Sequence, residues 1–314
     1  SPPEFWCSVN SLVYDDSSGQ WYGSIQGLPT DTDTGKTQCE LSIIDKSGAV
    51  IKKQLLTYVV NTNDRPQTYI TQKQSVYGAA RYTVWGEDDF DSLLLYSMSM
   101  RNTTGLLISE RSDSSGVFHI YPLLDGTYYV SFRSRDSKGL TDSIPVHDTL
   151  VIKNASSHQW SDSGKWHMVS IPAYNYDAQP FKQTGHLLHW DESQPSTVLY
   201  KHYQRASVLK TMDPGKAYWL KNNDTIAIQL DSSEIISQPV SITLHKSTTG
   251  WNQVSSPFLY PVQWNGPGTV WRWREDTRDF EQTDGIIEPW HGYWITTDST
   301  STITLDNKPI YKKE

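Results

Sequence analysis

Long hydrophobic runs are missing from this sequence. No apolar stretch approaches the roughly 18 residues that a membrane-spanning helix needs, so we predict no transmembrane segment. Apolar residues also do not recur at helical spacing for more than about two turns, which argues against long helices. Lys and Arg residues are fewer than Asp and Glu residues, and the formal net charge is −8. This charge argues against a nucleic-acid partner bound through its phosphate backbone.

Familiar catalytic motifs are missing as well. The sequence contains no G-x-S-x-G, no H-E-x-x-H and no C-x-x-C. His186 and His189 have a spacing found in metal sites, but we expect a strand there, in which residues i and i+3 face opposite sides. Acidic residues occur in many loops, and no two of them stand out as the carboxylates of a glycoside hydrolase. We therefore predict that the protein is not an enzyme.

Aromatic residues and period-two alternation dominate what is present. The 314 residues include 13 Trp and 18 Tyr but 4 Met, and Ser, Thr, Gly and Asn separate short apolar runs. Alternation with period two is typical of strands that bury one face. A chain of this length is sufficient for about two to four domains. The sequence predicts an all-β fold of tandem β-sandwich domains followed by two repeated small β modules.

The first predicted domain covers residues 1–65. A turn-rich crossing at residues 27–35 is followed by an alternating strand, a D-x-x-G turn at residues 45–48 and a strand that ends in N-T-N-D-R-P. This order resembles the C-terminal half of bacterial cadherin-like domains of the dystroglycan type. The region before Trp21 is short for a complete domain of that family. The resemblance implies an extracellular sandwich used in adhesion or as a spacer.

Short oxygen-bearing side chains lie at the end of this domain. Asn61, Asn63 and Asp64 supply the oxygen ligands that calcium prefers. In cadherin-like pairs the following domain completes a junctional calcium site with a D-x-D, and Asp89 and Asp91 fit that position. The alternative is an ordinary polar turn and a solvated acidic turn, because Asn, Asp and Pro are common turn residues. The resemblance thus predicts calcium as a cofactor of the first junction.

Two cysteines, Cys7 and Cys39, fall in the first domain. A bridge would close a loop of about 32 residues and stabilise the domain by roughly 3–4 kcal/mol in the chain-entropy model. Small secreted domains with thin cores often rely on such bridges. Two free buried thiols are the alternative. Because the sequence starts at Ser1 like a mature or excised piece, the missing signal peptide says little about the compartment.

Residues 66–154 are predicted to form a second sandwich. Alternating segments lead to the run Asp125-Gly126-Thr127-Tyr128, which enters a strand. This run resembles the tyrosine corner of immunoglobulin and fibronectin type III domains, in which the tyrosine hydroxyl pins a loop to the sheet. The resemblance implies an immunoglobulin-like or fibronectin-like domain.

An internal repeat follows. The run G-K-W-H-M-V-S-I-P at residues 164–172 matches G-W-N-Q-V-S-S-P at residues 250–257. Later, P-G-K-A-Y-W-L at residues 214–220 matches P-W-H-G-Y-W-I at residues 289–295. These motifs resemble the W-N-L-V-S-x-P … G-x-G-Y-W-x modules at the C-terminal ends of large bacterial surface and secreted proteins. We therefore predict two copies of one β module, copy 1 and copy 2, which cover residues 155–235 and 236–314.

The tryptophans of the two copies allow two interpretations. A shared core explains those that recur at equivalent positions, because a binding face has no need to repeat: Trp166, Trp219, Trp251 and Trp294. For the tryptophans that do not recur, a place in the core and a place on a binding face fit equally well: Trp160, Trp271 and Trp290. In a sugar-binding site, aromatic rings stack on pyranose faces beside polar side chains. Such a platform is predicted from Trp271, Arg272, Trp273 and Trp290, with Tyr293 beside them.

Together these features favour a non-catalytic segment of a larger bacterial surface or secreted protein that acts in adhesion or display. The expected location is extracellular or at the cell surface, with the periplasm as an alternative, and the expected partner is a protein or glycan at a cell surface. One alternative function is a carbohydrate-binding accessory region of a polysaccharide-degrading enzyme. Another is the sensory ectodomain of a membrane receptor. Non-repeated, exposed tryptophans in one cleft would favour sugar binding, and carboxylates converging at the junction would favour calcium.

Overall fold

The computed structural model of the protein is built almost entirely from strands, which confirms the all-β class. It describes residues 7–9, 13–15, 17, 20–22, 25–27, 35–44, 49–59, 65–88, 94–161, 164–194, 197–205, 209–246 and 248–311. For the strands up to residue 59, the description covers the course and pairing of the backbone. Among the described residues, helical structure is confined to α1 (Gln179–Thr184) and a single 3₁₀ turn (Leu199–His202).

The chain divides into two compact units. The first comprises Ser1–Gln67, Gly86–Leu94 and Ser134–Ser143. The second comprises Thr68–Trp85, Leu95–Arg133 and Ile144–Glu314. The second unit thus takes in most of the predicted second sandwich together with both copies of the repeat. The domain boundaries drawn from the sequence stay predictions.

Antiparallel pairs make up the described part of the first unit. Its strands are β1 (Cys7–Val9), β2 (Val13–Asp15), β3 (Gln20–Tyr22), β4 (Ile25–Gly27), β5 (Gly35–Ile44) and β6 (Val50–Val59). β1 pairs with β4, β2 with β3 and β5 with β6. The longest ladder runs from the pair Gly35–Val59 to the pair Ile44–Val50. It matches the two strands expected on either side of residues 45–48.

Seven strands form a sandwich of two antiparallel sheets. They are β7 (Gln67–Val76), β8 (Ala79–Glu87), β9 (Leu95–Asn102), β10 (Leu107–Asp113), β11 (Val117–Ile120), β12 (Gly126–Arg135) and β13 (Val146–Ile152). The sheet orders are β11-β8-β7 and β10-β9-β12-β13. The sheets meet where Phe132 of β12 lies 5.1 Å from Tyr82 and 5.5 Å from Phe118, measured between ring centroids. Residues alternate between buried and exposed along β12, as expected for a strand with one face on a core.

Tyrosine hydroxyls anchor this sandwich at two points. The Tyr128 hydroxyl donates a 3.0 Å hydrogen bond to the carbonyl oxygen of Leu124, four residues upstream. This is the geometry of a tyrosine corner, which the D-G-T-Y run predicted. Deeper in the sandwich, the hydroxyl of the fully buried Tyr82 donates to Asp148 Oδ2 at 2.5 Å. Lys73 Nζ lies 2.6 Å from the same carboxylate oxygen, so one carboxylate ties together β7, β8 and β13.

The predicted repeat appears as a repeated topology. Copy 1 contains β14 (Ser157–Trp160), β15 (Trp166–Val169), β16 (Tyr176–Asp177), β17 (Gly185–Trp190), β18 (Tyr203–Arg205), β19 (Thr211–Met212), β20 (Tyr218–Asn222) and β21 (Ile226–Gln229). Copy 2 contains β22 (Val240–Leu244), β23 (Trp251–Ser255), β24 (Val262–Gln263), β25 (Val270–Arg274), β26 (Asp279–Gln282), β27 (Ile286–Ile287), β28 (Gly292–Thr296) and β29 (Ser301–Leu305).

Each copy holds a four-stranded sheet and two strand pairs. The sheet orders are β15-β20-β17-β18 in copy 1 and β23-β28-β25-β26 in copy 2. The pairs are β14-β21 and β16-β19 in copy 1, and β22-β29 and β24-β27 in copy 2. Corresponding strands therefore take corresponding places. The helix α1 lies before β17 in copy 1, with no described counterpart before β25.

The two copies contact each other through equivalent residues. The Ser170 backbone N–H donates to the Trp290 carbonyl oxygen at 3.1 Å, and the Ser255 N–H donates to the Gly215 carbonyl oxygen at 2.9 Å. The sequence match pairs Ser170 with Ser255 and Gly215 with Trp290, so each bond is the counterpart of the other. An interface in which the same patch is used twice is isologous, as in a two-fold dimer. The repeat thus packs as an internal pseudo-dimer.

A continuous core joins the copies to one end of the sandwich. Ala79 of β8 belongs to the same buried cluster as Val169 of copy 1 and Leu259 of copy 2. The Gly78 N–H donates to the Leu259 carbonyl oxygen at 2.8 Å, and a Cβ at Gly78 would lie 2.8 Å from Leu259 Cβ. Glycine is therefore required at this approach. A second contact between copy 2 and the sandwich is the hydrogen bond that the Tyr311 hydroxyl donates to the carbonyl oxygen of Ala80 at 2.9 Å.

Candidate ligand-binding cleft

Besides the continuous core, a second hydrophobic cluster, largely aromatic, contains residues from both copies. Its buried members are Met168, Trp190, Ala217, Trp219 and Trp294. The ring of Trp190 lies 4.8 Å from that of Trp294 at an interplanar angle of 88°. The ring of Trp219 lies 5.2 Å from that of Trp273 at 79°. Edge-to-face pairs such as these are a favoured aromatic geometry.

These two pairs are symmetry counterparts. The strand register aligns Leu188 with Trp219 in copy 1 and Trp271 with Trp294 in copy 2. Two residues further along, Trp190 of copy 1 therefore corresponds to Trp273 of copy 2. The Trp190 Nε1–H donates to the Trp251 carbonyl oxygen at 2.8 Å. Its counterpart is the bond from Trp273 Nε1–H to the carbonyl oxygen of Trp166 at 3.2 Å.

An open cleft of about 510 Å³ lies where this symmetry is broken. It falls within the range of about 300–1,000 Å³ that is usual for small-molecule sites. Its lining comprises Trp190, Tyr203, Trp251, Trp271, Asp279, Phe280 and Trp294. Leu188 occupies the copy-1 position that corresponds to Trp271 in copy 2. The extra ring of Trp271 is therefore specific to this side of the pseudo-dimer. We call this space the aromatic cleft.

The lining of the aromatic cleft is almost entirely aromatic. Trp190 and Trp294 are buried and form its floor, whereas Trp251 and Trp271 are partly exposed. Phe280 is 39% exposed and lies 5.0 Å from the ring of Trp273. Burial raises the pKa of the Tyr203 hydroxyl, which is therefore neutral at pH 7. Among the described residues, Asp279 supplies the only charged side chain of the lining.

A separate polar pocket of about 440 Å³ lies at the β25–β26 hairpin. Arg274 Nη2 lies 2.9 Å from Asp276 Oδ2, and Arg274 Nη1 lies 3.7 Å from Glu281 Oε2. Arg272 Nη1 lies 3.3 Å from Glu288 Oε2, which is largely buried. The arginines of this pocket are therefore already paired with carboxylates of the same copy. This pairing accounts for the local structure without a ligand.

The structure does not gather the predicted platform residues at one pocket, although Trp271 and Trp273 lie on one face of β25. Trp271 lines the aromatic cleft, whereas Arg272 and Trp273 line the polar pocket. Trp290 is fully buried; its Nε1–H donates to the Ala155 carbonyl oxygen at 3.0 Å. Its backbone has a φ of 67°, at the position where copy 1 has Gly215 with a φ of 79°. Buried and bonded in this way, Trp290 serves the core and cannot stack on a ligand.

Sequence reasoning missed most of the cleft. Trp251 and Trp294 were assigned to the core because they recur, and both also reach the cleft. Trp166, assigned to the core on the same ground, is 37% exposed. One usable signal was the alternation W-R-W-R in β25, which places Trp271 and Trp273 on one face of a strand. Pairing of that face with Phe280 was not visible in the sequence.

The remaining predicted site residues fall largely outside the description. Asn61, Asn63, Asp64, Asp89 and Asp91 all lie outside the described residues, so the calcium site stays a prediction. Among the residues that are described, no three His, Cys, Asp or Glu side chains are grouped to hold a metal ion.

The two cysteines and the two closely spaced histidines all lie in strands. Cys7 begins β1 and Cys39 lies in β5, but their side chains are outside the description, and the bridge stays a prediction. His186 and His189 both lie in β17, three residues apart, and a strand directs such residues to opposite faces.

Histidines gather between the copies. The rings of His158 and His291 lie 6.0 Å apart, and His158 stacks on Trp290 at 5.4 Å. His167 Nδ1 lies 2.7 Å from Glu275 Oε1. Burial lowers the pKa of His158 and of His291 from 6.5 to about 4, although Glu275 acts in the opposite direction on both. His158 and His291 are therefore neutral at pH 7.

Comparison with known proteins adds no assignment. No protein family and no curated protein matches this chain. A solved structure described as a tetra-tandem repeat in the extending region of a large adhesion protein is similar at 10% identity and a TM-score of 0.23. The alignment covers 96% of this chain and 92% of that chain. Similarity at this level carries no argument about fold or function.

The helices of the described residues are too short or too polar to span a membrane.

Proposed function

We propose that the protein is a non-catalytic binding segment of an extracellular adhesion or display protein, and that the aromatic cleft is its ligand site. The observation that carries the proposal is the break in pseudo-symmetry at Trp271. A ring that only completed a shared core would be expected in both copies, whereas copy 1 has Leu188 there. Trp271 is also partly exposed, so its ring can meet a ligand.

The chemistry of the cleft supports binding rather than catalysis. Among the described residues, Asp279 is the one carboxylate in the lining. Hydrolysis of a glycoside by the usual mechanisms needs two carboxylates on either side of the scissile bond. In the neighbouring polar pocket, Asp276 and Glu281 are paired with Arg274, and Glu275 is bonded to His167.

A carbohydrate is the second candidate, as the ligand of an accessory region of a polysaccharide-degrading enzyme. Partly exposed Trp251 and Trp271 in one cleft favour it, because indole faces stack on the apolar faces of pyranose rings. No observation on the described residues favours a sensory ectodomain.

Two finer assignments belong to the same proposal. The three-plus-four strand sandwich and the Tyr128 corner support an immunoglobulin-like or fibronectin-like domain. The N-T-N-D-R-P motif supports a cadherin-like module with calcium at its junction, which would stiffen an adhesion segment.

The experiment that tests the ligand site is a titration of the full chain, followed by tryptophan fluorescence, with a panel of soluble oligosaccharides and small organic ligands. Trp271→Leu installs the residue that copy 1 tolerates at the same position, so we expect it to fold. Trp85→Leu is the matched control, because Trp85 is 51% exposed on β8 of the sandwich. A ligand response that is lost in Trp271→Leu and kept in Trp85→Leu supports the cleft. An equal response in both variants overturns it.

A further inference from the structure

We propose that the aromatic cleft binds an organic cation of the quaternary-ammonium class, held by the faces of its rings and by the carboxylate of Asp279. The inference rests on the proposed function, since it names the ligand of the same cleft. Three features carry it: the angles between the rings, the charge of the lining and its largely apolar surface.

The rings that line the cleft meet at steep angles. Trp190 meets Trp294 at 88°, Trp251 meets Trp294 at 81°, and Trp190 meets Tyr203 at 76°. Trp190 and Trp294 are buried, and Trp190 stacks on His202, so the ring surface that a ligand can reach is mainly that of Trp251, Trp271 and Phe280. A compact cation is attracted to an aromatic face when it lies within about 6 Å of the ring centroid. A flat pyranose, in contrast, uses the faces of rings that lie parallel to it.

The charge of the lining is complementary to a cation. Asp279 is exposed at the start of β26, and among the described residues no Lys, Arg or His side chain lines the cleft. Arg274 is the register partner of Asp279 across the β25–β26 ladder, but its guanidinium bonds to Asp276 and lines the polar pocket. The bond to Asp276 raises the pKa of Arg274, and the charge of Asp279 also contributes to this rise. Tyr203 is neutral, as shown above. The net charge of −8 favours cation approach at long range as well.

Most of the surface that faces the cleft is apolar, which favours a quaternary ammonium over a sugar. The indole N–H of Trp190 is already donated to the Trp251 carbonyl oxygen. Sugar hydroxyls that lose water without finding partners weaken binding, because each unsatisfied polar group costs free energy. A quaternary ammonium has no N–H group that requires a hydrogen-bond acceptor. Contacts with aromatic faces and with one carboxylate are therefore sufficient to bind it.

The test compares choline chloride with its neutral isostere, in which carbon replaces the quaternary nitrogen. The full chain is titrated with each, at constant ionic strength, and the dissociation constant is obtained from tryptophan fluorescence and calorimetry. Choline is expected to bind about tenfold more tightly than the isostere, as cation–π contacts of this kind imply. Trp271→Leu should weaken choline by about tenfold.

Asp279→Asn isolates the role of the carboxylate. We expect it to weaken choline about three- to tenfold and leave the isostere unchanged, because only the cation has a charge to lose. Asp306→Asn makes the same change in net charge at an exposed residue after β29 and should leave both ligands unaffected. Equal affinity for choline and the isostere overturns the proposal. Binding of a soluble oligosaccharide without choline binding also overturns it, yet leaves the cleft as the ligand site. If no ligand responds to Trp271→Leu, both proposals fall.

Discussion

The indole nitrogen of Trp190 donates a hydrogen bond to the backbone oxygen of Trp251, and it does so across the boundary between two copies of one sequence repeat. The counterpart bond, from Trp273 to Trp166, is longer and more exposed. Two chemically equivalent contacts thus occur in unequal surroundings within one chain. This inequality allows each contact to serve as a control for the other.

We expect Trp190→Phe to destabilise the protein more than Trp273→Phe. Trp190 is 4% exposed and stacks on His202, so its replacement leaves a void and an unsatisfied carbonyl oxygen. The expected loss is about 2–4 kcal/mol for Trp190→Phe. Trp273 is partly exposed, so about 1 kcal/mol is expected there. Urea unfolding of both variants measures the difference, and equal losses would contradict unequal burial at the two positions.

Stability should fall as the pH is lowered from 6.5 towards 4. Burial holds the pKa of His158 and His291 near 4 in the folded protein, whereas the unfolded chain takes up these protons below about 6.5. The unfolded state therefore binds more protons in this window, and the free energy of unfolding rises with pH. The slope is up to about 1.4 kcal/mol per pH unit for each histidine, and it flattens below pH 4.

Urea unfolding at a series of pH values measures this slope. His158→Gln should reduce it, as should His291→Gln, and the double variant should reduce it most. Replacement of His147, whose side chain is exposed on β13, tests whether the loss of any histidine has the same effect. A slope that survives the double variant would assign the acid sensitivity to other groups.

Tyr82→Phe should remove about 1.5–3 kcal/mol from the free energy of unfolding, because its hydroxyl bonds to the charged carboxylate of Asp148. The ring itself stays in place against Phe132, so the variant isolates the hydroxyl. Tyr129→Phe is the control: Tyr129 is 53% exposed on β12 and should change stability by less than about 0.5 kcal/mol. Thermal and urea unfolding measure both, and a neutral Tyr82→Phe would show that Lys73 alone satisfies Asp148.

Calcium at millimolar concentration should raise the melting temperature relative to a chelator, because a ligand that binds only the folded state stabilises it by mass action. Asp64→Ala should abolish the shift, while Asp284→Ala, an exposed residue of copy 2, should preserve it. The absence of any shift in the unaltered protein would remove the junctional site and leave residues 61–64 as a polar turn.

The local patterns of the sequence were sufficient for several features. Alternation at period two predicted strands such as β12, because a strand directs successive side chains to opposite faces. The D-G-T-Y run predicted a tyrosine corner, and the structure shows Tyr128 bonded to Leu124, which lies within five residues of it in the chain. Matching motifs predicted two copies of one β module, and the two copies have the same sheet order. In the first two cases the information was contained in one short segment.

The position of Trp290 shows where such reasoning fails. Its sequence neighbours, and its absence from copy 1, suited an exposed ring as well as a buried one. Burial was decided by residues far along the chain, Ala155 and His158, which enclose the indole. The sequence around a tryptophan that does not recur does not indicate which distant residues will cover its ring.

The sequence by itself determined that this chain is all-β, that a tyrosine corner pins one sandwich and that two tryptophan-rich copies repeat one topology. Tertiary structure alone decided that the copies pack through equivalent faces, and that the exchange of Leu188 for Trp271 falls beside Phe280 and Asp279 at an open cleft. Strand periodicity and turns arise from neighbours in the chain. A cleft forms where surfaces from different parts of the chain meet, and here the contacting residues are 61 and 107 positions apart.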